Sequence, residues 1–425
     1  MANTVSPARG MRDILPQEQA KREYVLNIIK NTYKKFGFDE IETPAVEIIT
    51  RLKSNQGGDN ESMLFEIMKR GLDKDADIRV SEAADLGLRY DLTLPLSRFY
   101  SSHASELPKV FRVLQTGPVW RAERPQKGRY RQFRQCDIDI LGEESVLAEI
   151  ELIIATLSAF KALKMENKVT LHLNDRRILR DLLLAFDVEE QKCGDVLISL
   201  DKWDKIGRDG VSEEIVSKEL LSQTQCTLLV DAVEELRNTT NIVGKDEITF
   251  NGKSINLYDL PKIVETVNEV LPQAKIVFDI SLVRGMGYYT GPIFEVVHDD
   301  FSSSVAGGGR YDKMIGKWLG KDVPACGFSI GFERIIDLVD LNDESAEKCA
   351  VLYSDNISYK DMFKIREIVM QDSIIPVFVK PPRKLNANFF ERLTSEGCKL
   401  VLDIREFDFT DSDSVGKISF KELSR

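Results

Sequence analysis

The segment that most constrains the fold is KVFRVLQTGPVWRAERPQKGRYRQFRQCDIDILG, residues 109–142. It predicts two strands joined by a polar loop, with Gly128 near the tip of the loop. In the second strand, alternation with a period of two places Gln135, Asp137 and Asp139 on one face and the apolar residues between them on the other. An antiparallel hairpin with one acidic face follows, and that face is either the wet side of a sheet or the floor of a ligand site.

The loop of this hairpin is basic in an acidic chain. Residues 121–135 carry six basic side chains and one acid, Glu123, whereas the formal net charge of the chain is −11 and its pI is about 5.1. This balance argues against a general nucleic-acid coat protein, but salt screening beyond about 8–10 Å leaves room for a local anion site. Arginine offers a planar fork that matches phosphate oxygens. The alternative is a loop that is simply solvated.

Length and composition predict a globular chain of two or three domains. The sequence has 425 residues, of which 43% are hydrophobic and 30% charged. No apolar run approaches the ~20 residues that span a bilayer, and the first residues lack a signal-peptide layout. The six cysteines and three histidines are scattered, so no metal site is predicted. We expect a reduced, cytoplasmic protein that does not contact a membrane.

Patterns along the chain predict four segments. Residues 17–36 have helical periodicity that Gly37 ends, FDEIETPAVE predicts a strand, and 148–164 predicts a helix against the hairpin. The texture then becomes mostly helical, before strand and glycine signals return near 275. The predicted segments are 1–175, the first part of a catalytic domain; 176–270, a helical insertion; 271–341, the second part of the catalytic domain; and 346–425, a small α/β domain.

Two further stretches carry polar residues at short spacing. In LRYDLTLP, Asp91 and Thr93 lie two apart and are predicted to share a strand face, where an anion and a hydroxyl would suit an ammonium ligand. In LVRGMGYYTG, glycines beside Arg284 would let the backbone approach a ligand closely. The alternatives are an ordinary pair beside a turn and a strand with a bulge.

Two glycine-rich stretches follow. AGGGRYD, residues 306–312, matches neither a Rossmann fingerprint nor a P-loop, and it predicts a flat floor under a planar ligand. GFSIGFERI predicts a strand that runs into a helix with Arg334 in its first turn. A cation there opposes the helix dipole, which indicates a bound anion unless the side chain points into solvent.

Taken in order, these stretches resemble the class II aminoacyl-tRNA synthetases and, within them, the histidyl-tRNA synthetase family, over about the whole chain. The segment ending in TPAVE resembles motif 1, WRAERPQKGRYRQFRQCDIDILG resembles motif 2, and GFSIGFERI resembles motif 3. LVRGMGYYTG and AGGGRYD resemble the two stretches peculiar to the histidine enzymes, and ARGMRDILP is a further likeness. The resemblance implies an α+β fold, with a class II antiparallel sheet, flanking helices, a helical insertion and a small C-terminal α/β domain similar to anticodon-binding domains.

The resemblance also implies roles for individual residues. It places Arg121 on the ATP α-phosphate, Arg334 at the γ-phosphate end and Arg284 on the α-phosphate from the histidine side, as the catalytic arginines. The histidine-binding residues are then Asp91, Thr93 and Gln135 for the α-amino group, Asp139 and Tyr289 for the imidazole, and Tyr288, Tyr311, Arg121 and Arg284 around them. The ATP-binding residues are Arg121, Glu123, Arg129 and Arg334. Gln126, Lys127 and Arg131 exceed the needs of a triphosphate and are predicted to bind tRNA.

The implied reaction is ATP-dependent activation of histidine, with Mg²⁺, followed by transfer to the 3′ end of tRNA(His), in a homodimer. Two departures from the family pattern stand out. Gly287 replaces an acid that many relatives carry, and the C-terminal segment lacks the usual charged turn after its last strand. Two other functions remain open: a non-charging regulatory subunit of ATP phosphoribosyltransferase, and a class II synthetase for another amino acid. The intact run from Arg121 to Gln135 argues against the first, and GYYTG with GGGRYD against the second.

Overall fold

The structure is a computed structural model. It describes residues 5–54, 63–72, 79, 82–124, 129–239, 241–250, 252–283, 289–301, 303–340, 347–371, 373–407 and 419–423. The chain divides into two compact units, residues 1–14 with 21–340 and residues 15–20 with 341–425. The larger unit carries the stretches that resemble the synthetase motifs, so its sheet is the frame of the candidate site.

The helices and strands of the described residues have the following bounds. The helices are α1 (Pro16–Lys35), α2 (Ile49–Ser54), α3 (Thr93–His103), α4 (Leu147–Ala162), α5 (Arg176–Ala185), α6 (Cys193–Leu200), α7 (Trp203–Ser217), α8 (Gln223–Arg237), α9 (Leu260–Val270), α10 (Asp312–Ile315), α11 (Phe332–Ile336), α12 (Tyr359–Gln371) and α13 (Ala387–Ser395). The strands are β1 (Asp39–Ile41), β2 (Val46–Ile48), β3 (Phe65–Met68), β4 (Ala84–Leu88), β5 (Phe111–Trp120), β6 (Gln132–Leu141), β7 (Val169–Asp175), β8 (Glu247–Phe250), β9 (Lys253–Asn256), β10 (Lys275–Phe278), β11 (Pro292–His298), β12 (Ser304–Arg310), β13 (Ala325–Gly331), β14 (Lys348–Leu352), β15 (Ile375–Val379), β16 (Cys398–Asp403) and β17 (Lys421–Glu422).

An eight-stranded sheet, in the order β1-β5-β6-β13-β12-β11-β7-β10, forms the centre of the larger unit. Its inner neighbours, from β5 to β7, pair antiparallel, whereas β1 pairs with β5 and β10 with β7 in parallel. The predicted hairpin is therefore confirmed as β5 and β6, and the mixed sheet with flanking helices is the α+β architecture that the sequence predicts.

Helix α4 covers this sheet because it is apolar almost all round. Most of its residues are buried, from Ala148 to Phe160, and it contacts β13 and β6. Beneath it, Cys136, Ile138 and Ile140 of β6 have no exposed surface, so the apolar face of the alternating strand meets the helix. The acidic face of β6 is thereby turned to the other side of the sheet, where the candidate site lies.

The N-terminal segment differs in detail from the prediction. Helix α1 buries Val25, Ile29 and Tyr33 at helical spacing, whereas the periodicity over 17–36 also predicts that Tyr24 and Phe36 lie on this face, and both are exposed. Gly37 follows with φ +82°, a backbone conformation that favours glycine and that ends the helix. The single strand predicted for FDEIETPAVE is wrong, because the segment splits into β1 and β2 in different sheets around Pro44, which has no N–H to donate to a ladder.

Between β7 and β10 the chain forms α5 to α9 together with an antiparallel hairpin of β8 and β9. The second unit has a sheet in the order β15-β14-β16-β17, with β14 parallel to both of its neighbours. Alternate residues of β14 pack into two separate cores, one with α12 and one with α13, as in a small α/β layer structure. Within the part of the chain that the structure describes, no helix is long and apolar enough to cross a membrane.

Candidate active site

A pocket of about 380 Å³ opens over β6, β13 and β12 on the face of the sheet away from α4. The pocket brings together most of the described residues that the sequence analysis selected. Those that line it are Asp91, Thr93, Arg121, Glu123, Arg129, Gln135, Asp139, Tyr289, Tyr311 and Arg334. Residues separated by more than 200 positions in the sequence therefore meet in one concave site, as expected of a ligand pocket.

The floor of the pocket is the polar face of β6. Gln135, Asp137 and Asp139 line it together, which confirms the alternation predicted for this strand. Asp137 and Asp139 are each only 4% exposed. Burial raises the pKa of Asp137 well above its usual range, and the charge of the neighbouring Asp139 raises it further. A hydrogen bond from Ser329 opposes the shift. Such shifts are typical of carboxyl groups held for a ligand.

Asp139 is tied to the glycine-rich stretch by one short contact. The hydroxyl of Tyr311 donates a hydrogen bond to Asp139 Oδ1. Burial raises the pKa of Asp139 to about 7, against the lowering effect of Tyr311. The strand opposite leaves room for this carboxylate only because it has glycine there: a Cβ on Gly327 would lie 2.0 Å from Asp139 Oδ1.

Tyr311 is itself held by the end of β12. The preceding residue, Arg310, is buried and donates to both carboxylate oxygens of Glu149 on α4, at 2.5 and 2.7 Å. Tyr311 N also donates to the carbonyl of Ala325 at 2.7 Å. The bidentate pair of Arg310 and Glu149 fixes the backbone from which Tyr311 reaches into the pocket. The predicted glycine floor is a strand whose Gly307 and Gly308 line the pocket.

Asp91 and Thr93 line the pocket, but the prediction that they share a strand face is wrong. Strand β4 ends at Leu88, and α3 begins at Thr93. Asp91 Oδ1 accepts a hydrogen bond from Leu94 N at 3.1 Å, so the carboxylate satisfies one of the free N–H groups at the helix start. Burial raises the pKa of Asp91, and this backbone contact and Arg121 oppose the shift.

Arg121 leaves the end of β5 and lies at the rim of the pocket. Its Nε donates to the carbonyl of Tyr90 at 3.0 Å, and its guanidinium lies 5.1 Å from the centre of the Phe133 ring. These contacts orient the guanidinium, whose planar fork of donors suits a planar acceptor. The structure describes two of the three predicted catalytic arginines, and Arg121 is the one that the hairpin supplies.

The basic loop contributes two more groups to the rim and one that is elsewhere. Glu123 and Arg129 face each other at 3.9 Å and both line the pocket. Arg131 does not line it: Arg131 Nε donates to the carbonyl of Glu123 at 3.0 Å, and its backbone N–H donates to Gly10 at 2.7 Å. The structure therefore gives Arg131 a role in closing the base of the loop, and its predicted contact with tRNA stays a prediction.

Arg334 reaches the pocket from the first turn of α11, as predicted. Its Nη1 donates to the carbonyl of Ser304 on β12. The residue before it, Glu333, accepts hydrogen bonds from Arg22 at 2.7 and 2.5 Å and from Arg12 at 2.9 Å. Burial opposes ionisation of Glu333, but the hydrogen bonds from Arg22 and Arg12 keep its pKa below the usual value.

Four predicted residues, Gln126, Lys127, Arg284 and Tyr288, lie outside the described residues. Other lining residues were not selected from the sequence. They include Tyr130, Phe133, Ser329 and Glu333. A local signal existed for Ser329, because it stands in the small-residue strand GFSIG, directly opposite Asp137. None existed for Glu333, whose partner Arg22 lies 311 residues away.

Comparisons with known proteins show the family of the chain. A family model described as histidyl-tRNA synthetase matches residues 10–335. The histidine–tRNA ligase of Leifsonia xyli subsp. xyli (strain CTCB07) is 48% identical over 374 residues, 84% of this chain and 85% of that protein. The histidine–tRNA ligase of Bacteroides fragilis (strain YCH46) is 35% identical over 350 residues, 78% of this chain and 76% of that protein.

Solved structures show the same fold. The histidyl-tRNA synthetase from Nostoc sp. PCC 7120 superposes with a TM-score of 0.76 at 24% identity and covers 99% of this chain and 95% of its own. A protein from Bacillus halodurans C titled an ATP phosphoribosyltransferase regulatory subunit/histidyl-tRNA synthetase gives 0.70 at 20% identity, covering 94% of this chain and 97% of its own. The architecture is that of the class II aminoacyl-tRNA synthetases. Within that class, the chain belongs to the histidyl-tRNA synthetase family.

Proposed function

We propose that the chain is a histidine–tRNA ligase, an aminoacyl-tRNA synthetase that activates histidine with ATP and esterifies tRNA(His). In the first step a carboxylate oxygen of histidine attacks the α-phosphorus of ATP, and pyrophosphate leaves. In the second step the terminal ribose hydroxyl of tRNA attacks the carbonyl carbon of the adenylate, and AMP leaves. The observation that carries the proposal is one pocket with a carboxylate floor and an arginine rim.

The floor suits the amino acid. Asp91, Thr93 and Gln135 are proposed to hold the α-ammonium group, since a carboxylate, a hydroxyl and an amide oxygen can each accept one of its hydrogens. Asp139 is proposed to accept the N–H of the imidazole, with Tyr289 at the other ring nitrogen. The hydrogen bond from Tyr311 holds the Asp139 carboxylate in place for this contact.

The rim suits the triphosphate. The carboxylate nucleophile is already ionised at pH 7, so the first step needs no general base but does need cations around the attacked phosphorus. Arg121 and Arg284 are proposed to act there, Arg334 at the γ-phosphate end, and Glu123 and Arg129 beside the adenosine triphosphate. The Nε contact of Arg121 supports this, because it orients the guanidinium through a backbone carbonyl.

Mg²⁺ is proposed to arrive with ATP. Among the described residues there is no cluster of three acidic, histidine or cysteine side chains that would hold a metal ion. Mg²⁺ commonly binds through substrate phosphates, water and one or two carboxylates, so this mode needs no dedicated protein cage. Glu123, at the rim, is a carboxylate that could take part, and the ion would neutralise charge on the leaving pyrophosphate.

The broader organisation is also proposed from the family. The catalytic domain would comprise residues 1–175 and 271–341, interrupted by an insertion at 176–270, with an anticodon-binding-like domain at 346–425. We further propose a cytoplasmic homodimer. The six cysteines support a reducing compartment, because all of them are buried free thiols.

Amino-acid-dependent ATP–pyrophosphate exchange, run with each of the twenty amino acids, tests the first step. Exchange is expected with histidine alone. Well-folded protein with Mg²⁺ that gives no exchange with histidine would overturn the proposal in favour of a regulatory subunit, and exchange with another amino acid would reassign the substrate.

The second step is tested by Lys127→Glu in the basic loop. This change reverses a charge that a triphosphate does not require, so aminoacylation of tRNA should fall while pyrophosphate exchange stays close to wild type. Glu123, which lines the pocket, gives the matched control: Glu123→Gln should affect both steps. Equal damage to both steps by Lys127→Glu would assign the loop to ATP alone.

A further inference from the structure

A chain of hydrogen bonds links β6 and β13 on the floor of the pocket. In the antiparallel register, Asp137 stands opposite Ser329 and Gln135 stands opposite Gly331. Gln135 and Ser329 are therefore diagonal neighbours on the same face, close enough for side-chain contact. All three polar side chains line the pocket. Asp137 and Ser329 have no role in the function proposed above.

The hydrogen bonds of this chain run in one direction, from Gln135 through Ser329 to Asp137. The hydroxyl of Ser329 donates to Asp137 Oδ1, and it accepts from Gln135 Nε2 at 2.9 Å. A serine hydroxyl has a single hydrogen, and here Asp137 Oδ1 accepts it. With its hydrogen committed to Asp137, Ser329 can offer Gln135 only a lone pair. The partner of Ser329 must then be the NH₂ group of Gln135, which fixes which way the amide faces.

Gln135 lines the pocket, and the oxygen at the other end of its amide lacks a partner in the described part of the chain. Gln135 Oε1 is buried and has no hydrogen-bond partner among the described residues. A buried acceptor without a donor is unfavourable, so the site is complete only when a ligand supplies one. An ammonium group has three hydrogens to donate and none to accept. If the amide were reversed, its NH₂ group would face the ammonium and repel it.

We propose that Ser329 and Asp137 are positioning residues that hold the Gln135 amide with its oxygen toward the α-ammonium group of the substrate. The proposal rests on the proposed function, because histidine supplies that group. It predicts that the two residues discriminate ligands by the presence of the amine and not by the presence of the imidazole. Both act through Gln135, so neither needs to touch the substrate.

Titration calorimetry of the full chain without ATP tests this, with two probes: L-histidine and 3-(imidazol-4-yl)propanoate, which lacks only the amine. Ser329→Ala should weaken histidine binding about tenfold, the scale of one hydrogen bond to a charged group, and leave the desamino probe within about twofold. Ser329→Thr keeps the hydroxyl and should restore binding of histidine. Asp137→Ala frees the serine hydrogen and should give the same amine-selective loss.

A double-mutant cycle with Gln135→Ala separates the positioning of Gln135 from other roles of Ser329. In the Gln135→Ala background, Ser329→Ala should cause no further loss of histidine binding. A loss that persists there, or a loss shared equally by both probes, or an unchanged affinity for histidine in Ser329→Ala, would overturn the positioning role. Wild-type protein that does not bind histidine would instead overturn the proposed function itself.

Discussion

Replacing Asp139 by asparagine should stabilise the unliganded protein and damage its activity. The wild-type carboxyl group is 4% exposed, and burial raises its pKa from 3.8 to about 7. At ~1.36 kcal/mol for each pH unit, the fold disfavours the ionised group by about 4 kcal/mol. Asparagine removes the charge, keeps the shape and still offers Tyr311 an oxygen to donate to.

The gain in stability from Asp139→Asn depends on pH. Below the unfolded pKa of 3.8 the carboxyl is protonated in both states, so the wild type bears no penalty. Between there and about 7, the folded state binds a proton that the unfolded state has released, so stability falls as the pH rises. Above about 7 the penalty is fully present. The gain from Asp139→Asn should therefore be near zero at pH 4 and reach at most about 4 kcal/mol at pH 8.

Urea unfolding of both proteins at several pH values, without histidine, measures this gain. Asp85→Asn, on the exposed side of β4, is the matched control and should change stability by less than about 0.5 kcal/mol at any pH. In exchange assays, Asp139→Asn should lose about 10- to 10³-fold in kcat/KM for histidine, with the KM for ATP nearly unchanged. A variant that is no more stable than wild type at pH 8, or equally active with histidine, would refute the reasoning.

Three other changes test separate parts of the site. Gly327→Ala would place a Cβ 2.0 Å from the carboxylate of Asp139, so histidine-dependent exchange should fall about tenfold or more, whereas Gly194→Ala, with no atom within 4 Å of the new Cβ, should be neutral in the same assay. Glu333→Gln removes the buried anion that Arg12 and Arg22 contact, and it should lower the free energy of unfolding, measured in urea, by about 3 kcal/mol. An unchanged midpoint of urea unfolding would show that these ion pairs are solvated. Arg284→Ala should cut turnover in the exchange assay about 10²-fold, and a rise in KM alone would contradict a role in the transition state.

Local patterns were sufficient where one strand or one turn decides the outcome. The alternation in β6 predicts which side chains share the floor, because a strand turns successive residues to opposite faces whatever packs against it. Arg334 follows from a similar local rule, since β13 runs directly into α11. The pocket contains every selected residue of the described set except Arg131. Their roles in binding and catalysis stay predictions.

The sequence could not reveal what depends on distant partners. Asp91 looks like a strand residue in LRYDLTLP, but its carboxylate accepts from Leu94 N, and this contact starts a helix there. Apolar runs this short do not distinguish a strand from a helix start. The ion pair between Arg22 on α1 and Glu333 on α11 joins residues 311 positions apart, and no rule of sequence spacing predicts such a pair.

The charges of the pocket explain why an acidic chain keeps a basic hairpin loop. Burial raises the pKa values of three carboxyl groups of the pocket, those of Asp91, Asp137 and Asp139, so the unliganded fold disfavours their ionised forms. A ligand that brings an ammonium group and a ring N–H relieves this cost, and a ligand without them leaves it in place. Arginines on the rim would exert the opposite preference for phosphate. The site is therefore polarised across its depth, and we infer that it orients a zwitterionic amino acid with its carboxylate toward the arginines, where the α-phosphorus of ATP must lie.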